Sequence, residues 1–180
     1  MEILFATSNR HKVDEANDIS GRYGITFRQA DVGYPEIRDD SVLRIAEEGV
    51  KHAHTKLNKP VIVEDSGLFI ESLNGFPGPY SSFVFKKIGN HGILRLMKGI
   101  EDRKATFISA VAYTDGRESR VFDGSAGGVI TEDIRGRDGF GYDPIFKPEG
   151  HDKTFAEDPQ HKSLASHRRK AVERLCEFLK

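Results

Sequence analysis

Cysteine is nearly missing from the chain: Cys176 is the only one in 180 residues, which rules out an internal disulfide and a zinc site built on thiolates. Long apolar runs are missing too, since no stretch approaches the roughly 18 residues that a membrane span needs. Nor does one sign of charge dominate. With 27 Lys and Arg against 28 Asp and Glu, the formal charge is −1, which argues against a nucleic-acid backbone as the main partner, although a local basic cluster could still hold a small polyanion. There is no internal repeat, low-complexity tract or Ser/Pro-rich linker, and Met1 leads into a strand pattern rather than a signal peptide. These absences predict a single cytoplasmic domain over residues 1–180, large enough for one substantial core or two small lobes sharing one.

What is present centres on residues 61–82, VIVEDSGLFIESLNGFPGPYSS. A β-branched run from Val61 turns polar at Glu64, Asp65 and Ser66 and is followed by a Gly/Pro-rich loop. That pattern puts carboxylates at the C-terminal end of a buried strand, where open α/β sheets bind their ligands. D-S-G is also ordinary turn vocabulary, so a plain surface turn fits the same letters. Glu64 is expected either to help polarise a reacting water or to be solvated.

Upstream, EILFA at 2–6 reads as a buried strand, and Thr7, Ser8, Asn9, Arg10, His11 and Lys12 lead into a helix carrying Val13, Ala16 and Ile19. Strand, polar turn and helix N-terminus make an anion-binding arrangement, because free N–H groups and the helix dipole face the turn. The glycines of a Walker A loop or a dinucleotide fingerprint are not there. A simple N-cap is the competing reading of TSN. A second strand is expected near residues 25–28, then a loop with Tyr34, Pro35 and Glu36. The spacing of Val42, Ile45, Ala46, Val50, Ala53 and Leu57 predicts a helix over 39–57, capped by Asp39 or Asp40. Glu47 and Lys51 stand one turn apart on it, and His52 and His54 make a poor metal pair.

Two short helices joined near Gly89 are expected over 79–97, with Ile88, Ile93, Leu94, Leu96 and Met97 facing inward. KATFISAVAY at 104–113 reads as a strand, Thr114 to Gly116 as a hairpin turn, and SRVFDGSAGGVI as the return, bulged or bent at Gly124, Gly127 and Gly128. Residues 135–150, RGRDGFGYDPIFKPEG, then form a long irregular loop. Its aromatics suit stacking on a flat ring or, equally, pinning the loop by their own burial. From Asp158 to the C-terminus a helix is expected with Leu164, Ala171, Val172, Leu175, Phe178 and Leu179 on one face. Lys162, His167, Arg168, Arg169 and Lys170 crowd its first half, where they oppose the helix dipole and call for a nearby anion.

Four of these segments together, TSNRHK at Thr7, VEDSGLFIESLNGFPGPYS at Val63, DGFGYDPIF at Asp138 and SHRRKA at Ser166, resemble the inosine triphosphate pyrophosphatase family in order and spacing. The resemblance implies an α/β fold, a long twisted mixed β-sheet flanked by helices, with two lobes and the active cleft between them, as a homodimer. It implies hydrolysis of non-standard purine nucleoside triphosphates between the α- and β-phosphates, with Mg²⁺ as cofactor and Mn²⁺ as its substitute. Neither nucleic acid nor membrane is implied as a partner. On the matching positions, Asp65 is the catalytic carboxylate and a metal ligand, and Glu36 is the second metal-site carboxylate. Thr7, Ser8, Asn9, Arg10, His11, Lys12 and Ser66 contact the triphosphate, and Lys51 lies near a lysine that some relatives use for it. Phe140, Gly141, Tyr142, Asp143, Lys162, His167 and Arg168 form the nucleoside set.

The chain departs from the pattern after Ser82, where Phe83, Val84 and Phe85 replace an arginine that many relatives carry. Two other classes fit parts of the sequence. One is a pyrophosphatase of the Maf-like group; the other is a non-catalytic nucleotide-binding module built on the aromatic loop and the basic helix.

Overall fold

The computed structural model describes residues 1–35 and 37–180. Twelve elements follow one another: β1 (Glu2–Ala6), α1 (Arg10–Ser20), β2 (Thr26–Ala30), α2 (Val42–Leu57), β3 (Val61–Ile70), β4 (Pro77–Gly78), α3 (Ser81–Leu96), β5 (Lys104–Thr114), β6 (Ser119–Ile130), β7 (Phe146–Pro148), α4 (Pro159–Ala165) and α5 (His167–Phe178). Among the described residues the strands form one seven-stranded sheet in the order β2-β1-β3-β5-β6-β7, with β4 paired to β3. Strands β1, β2 and β3 run parallel, whereas β4 and β7 pair antiparallel with β3 and β6. The fold is thus a mixed sheet flanked by helices.

The chain divides into two compact units. The first comprises residues 1–65, 109–124 and 167–180, and the second residues 66–108 and 125–166. In the first, Ile3, Phe5, Val13, Ile19, Phe27, Ile62, Val111, Val172 and Leu175 form the core. The second buries Leu68, Ile70, Ile93, Met97, Phe107, Ile130, Phe146 and Phe155. The expected stripes are buried: Val13, Ala16 and Ile19 at helical spacing on α1 join the first core, and Val42, Ile45, Ala46, Val50 and Ala53 are buried on α2. Within the second unit Arg103 donates to the carbonyls of Met97 and Ile130, tying the end of α3 to the end of β6.

Several expectations are corrected. Strand β3 does not stop at the acidic residues but continues to Ile70, so Glu64 and Asp65 lie in mid-strand and the D-S-G turn does not exist. The chain turns later, and β4 folds back so that Leu68 faces Gly78. A Cβ on Gly67 would collide with the carbonyl of Gly78, which is why the strand can carry glycine after Ser66. Neither Asp39 nor Asp40 is the cap of α2. Ser41 holds that position, and Asp39 Oδ1 instead accepts from the Ser41 N–H at 2.9 Å. The expected return strand is β6, which extends from Ser119 through all three glycines to Ile130; Gly124 is required because a side chain there would strike the His167 carbonyl and the Ala171 N–H of α5.

The C-terminal helix is two helices, interrupted at Ser166 by extended backbone (ψ 155°). That break takes Leu164 out of the apolar stripe and leaves it 69% exposed. Ile88 and Leu96 are exposed as well, whereas Ile93 and Met97 are fully buried. The physical reason is the backbone at Gly89 (φ 59°, ψ −164°), which breaks α3 and resets the helical phase on either side of it. The long loop after residue 135 is partly ordered by a turn at Asp143–Ile145 and by β7.

Cys176 is buried in the first core, and that burial pushes its thiol up to about 11. Because the thiolate is the reacting form, Ellman's reagent at pH 8 is expected to find no thiol in the native protein and one per chain after unfolding in guanidinium. Rapid labelling of the native form would contradict this packing.

Candidate active site

In the first unit the chain passes from β1 through α1 to β2 on one side of β1, and then places β3 on the other. A parallel sheet whose strand order reverses in this way opens a crevice beyond the strand ends at the reversal, here between β1 and β3. Leu4 pairs with Val61 and Phe5 with Ile62. Continuing that register brings Thr7, just past β1, level with Glu64. The sequence therefore delivers the TSNRHK turn and the acidic pair of β3 to the same place.

The turn is internally braced. Thr7 Oγ1 accepts from the Asn9 N–H at 3.1 Å, and Asn9, the N-cap of α1, accepts from the His11 N–H at 3.0 Å. The Thr7 N–H bonds the Ala30 carbonyl, and Gln29 Nε2 donates to the Thr7 carbonyl. Capping and anion binding are compatible here, because the helix dipole remains. Ser8, Arg10 and His11 are exposed, with Arg10 paired to Asp14 at 2.9 Å.

Lys12 turns inward, and with it comes a cluster that the sequence reading did not assemble. The Glu64 side chain has no exposed surface. Lys12 Nζ lies 2.7 Å from Glu64 Oε2 and donates to the Glu64 backbone carbonyl at 3.0 Å. Ser109 Oγ donates to Oε1 at 2.6 Å, and Arg168 reaches Oε1 at 3.2 Å. Arg168 also pairs with Glu15 and is only 2% exposed. Burial alone would raise the pKa of Glu64, but Arg168 and then Lys12 hold it well below the usual carboxylate range. Burial likewise works against the Arg168 charge, and Glu64 and Glu15 outweigh it, so the guanidinium is held above its ordinary value. The anions that the basic start of α5 calls for are thus two glutamates of the protein itself. Glu64 is neither solvated nor spare.

Asp65 differs from its neighbour. Successive side chains of a strand point to opposite faces, so Glu64 shares the face of Ile62 and Asp65 that of Val63. Asp65 and Ser66 are half-buried. Among the described residues no group of three His, Cys, Asp or Glu gathers as a metal cage. A small hard cation that keeps water ligands and takes phosphate oxygens needs only one or two carboxylates, and Asp65 is a donor of that kind. Glu36 lies outside the described residues. Lys51 is exposed on α2, 2.7 Å from Glu48 and 3.5 Å from Glu47.

In the second unit, the loop at Phe140 to Asp143 is held by its own residues. Asp143 is buried and its Oδ2 accepts from the Phe140 N–H at 2.9 Å and from Lys162 Nζ at 2.8 Å. The same ammonium sits 4.3 Å from the centre of the Phe140 ring, a cation–π contact. A side chain at Gly139 (φ 75°) would collide with the Asp143 carboxylate. Tyr142 is buried, donates to the Ser81 carbonyl at 3.0 Å and meets Phe85 edge-on, while Asn90 donates to the Gly141 carbonyl. Of the two aromatics, Tyr142 therefore pins the loop by its burial, while Phe140 is half-buried. Burial also raises the Tyr142 phenol, which stays protonated. His167, in the first unit at the start of α5, is buried.

Glu15, Ser109 and Asn90 are the polar residues that sequence reasoning missed. One signal was available: Ser109 interrupts the apolar run of β5, and a hydroxyl inside a buried strand needs a partner.

Fold and site together define an α/β protein with a braced anion-binding turn set beside a half-buried aspartate at a strand-order reversal. The chain belongs to the Ham1 family, whose profile matches residues 3–178. It is 54% identical to a dITP/XTP pyrophosphatase of Methanopyrus kandleri over all of this chain and 97% of that one, and 46% identical to one of Hyperthermus butylicus, over 99% and 94%. Among solved structures, the Staphylococcus aureus Ham1 protein matches with a TM-score of 0.86 at 31% identity, covering 99% of this chain and 98% of that one. A HAM1 protein from Coxiella burnetii matches with 0.87 at 30% identity, with the same coverage.

The electrostatics of Glu64 set an acid limit on stability. Between its depressed native value and the ordinary 4.5, the unfolded chain binds more protons than the native one, so stability rises with pH. The contribution is complete above that ordinary value and is lost as pH falls below it. Tm is expected to drop between pH 5 and pH 3, and the drop should be shallower in Glu64→Gln; parallel curves would remove Glu64 as its source.

Proposed function

We propose that the chain hydrolyses non-canonical purine nucleoside triphosphates, dITP, XTP and ITP, at the α–β bond to give the nucleoside monophosphate and pyrophosphate, cleansing the nucleotide pool. The observation that carries this reading is the match, end to end, to relatives named dITP/XTP pyrophosphatase, on a fold that brings the TSNRHK turn beside Asp65.

A triphosphate carries about four negative charges, and a protein with a formal charge of −1 must concentrate cations where it binds. The α1 N-terminus and Lys12 do this for the phosphates, with Thr7, Ser8, Asn9, Arg10, His11 and Ser66 as further donors and Lys51 as an outlying one. Asp65, with Glu36, would hold Mg²⁺ or Mn²⁺, which when bound neutralises phosphate charge and acidifies a water. Asp65 orients the attacking water for in-line displacement and accepts its proton.

The base stacks on Phe140. Discrimination follows from the C6 substituent. A donor placed at that edge, from Gly141 to Asp143 backbone or from His167 and Arg168, is satisfied by a keto oxygen and left unpaired by the amino group of ATP. A buried unpaired group costs about 1–3 kcal/mol, a preference of about ten- to a hundredfold. The chain works as a homodimer in the cytoplasm, without nucleic acid or membrane partners.

Incubation with Mg²⁺ and a panel of ITP, XTP, dITP, GTP, ATP and TTP is expected to release pyrophosphate fastest from the first three. Orthophosphate as first product would overturn α–β cleavage; preference for modified pyrimidine or methylated nucleotides would favour a Maf-like enzyme; binding without turnover would favour a non-catalytic module. Asp65→Asn is expected to lower kcat on the order of 10²–10⁴-fold, with no rescue by excess metal. Full rescue would reduce Asp65 to a metal ligand.

A further inference from the structure

Glu64 has no part in the reaction as described, yet its side chain has no exposed surface. A lysine ammonium has three N–H donors; Lys12 Nζ gives one to the Glu64 backbone carbonyl at 3.0 Å and sits in ionic contact with Oε2 at 2.7 Å. The Lys12 side chain remains 17% exposed, so the ammonium still has donors for an anion outside. Oε1 takes Ser109 Oγ at 2.6 Å and the Arg168 guanidinium at 3.2 Å, and Glu15 closes the other side of Arg168. Two cations face two carboxylates, and the cluster is neutral as it stands. A solvated lysine loses rotamer freedom when a ligand fixes it; here folding has already fixed it.

We propose that Glu64 is a positioning residue for the hydrolysis: one buried carboxylate fixes the Lys12 ammonium for the triphosphate and the Arg168 guanidinium at the start of α5, so that phosphate and base recognition both rest on it. This rests on the pyrophosphatase reading above. A metal-ligand role for Glu64 does not fit, because Lys12 occupies one oxygen and Ser109 with Arg168 the other, and the strand turns it away from the face of Asp65.

A double-mutant cycle separates positioning from mere support of the fold. Glu64→Gln keeps the shape and one acceptor oxygen but removes the charge. kcat/KM for ITP and for ATP is measured in wild type, Glu64→Gln, Lys12→Gln and the double variant. Displacing a positioning group by about 1 Å costs on the order of 10²-fold, so each single variant should lose about that much with ITP. The double variant should lose far less than the product of the two single losses, because the part of the Glu64 effect that passes through Lys12 is already gone and only the part that passes through Arg168 remains. The ITP-to-ATP ratio should fall in Glu64→Gln and hold in Lys12→Gln, since only the former loosens Arg168. Multiplying losses, or a lower Tm with unchanged kcat/KM, would overturn the proposal. Should Glu64→Gln fail to fold, Glu64→Asp, which withdraws the charge by one methylene, enters the same cycle. If wild type does not hydrolyse ITP, the functional reading fails by itself, and the cycle is read in the Kd for ITP, where the same non-additivity is expected.

Discussion

The carboxylate of Glu64 has no exposed surface, and that condition governs what surrounds it. An ionised carboxylate cannot sit in a protein interior without partners; its desolvation costs several kcal/mol, and losing one partner of a buried pair costs on the order of 3–5 kcal/mol. Four elements of the first unit meet this demand: α1 with Lys12 and Glu15, β3 with Glu64 itself, β5 with Ser109 and α5 with Arg168. A helix start that carries adjacent basic residues against its own dipole becomes stable because its guanidinium is neutralised from two sides. The N-terminal turn acquires a lysine that is already oriented.

The same strand separates an enclosed charge from a half-buried one. Glu64 and Asp65 are adjacent, and the two-residue period of β3 sends them to opposite faces. One carboxylate is consumed by the fold, and the other, half-buried, stays beside the braced turn at the strand-order reversal. The second unit repeats this economy at smaller scale. Asp143 is consumed by Lys162 and by the Phe140 N–H, and Tyr142 by Ser81.

Membership in the Ham1 family and identity of up to 54% to proteins named dITP/XTP pyrophosphatase connect this arrangement to nucleotide chemistry. The geometry contributes what a family name does not: which of the many charged residues are already neutralised inside the protein. Arg168 is the clearest case. Its place in the motif suggests a ligand contact, and its 2% exposure requires that any influence on the base pass through a guanidinium held by Glu64 and Glu15.

Much of the fold was legible in the letters, because strands and helices are local. Val13, Ala16 and Ile19 announce α1 by their spacing, and Gly89 marks the break in α3 by the backbone freedom only glycine has. The four motif segments identify the family for the same reason: each is a short run whose residues act together. The errors arose where sequence pattern met a tertiary contact. Strand β3 continues past Ser66 because β4 returns to pair with it, and Leu164 leaves its stripe because the chain straightens at Ser166. Tertiary structure alone decided the partners of the buried charges. Glu64 meets Ser109, Lys12 and Arg168 across 45, 52 and 104 residues, and Arg168 meets Glu15 across 153. No periodicity spans such distances, so an acidic residue that reads as solvated in the chain becomes the fixed point of the folded unit.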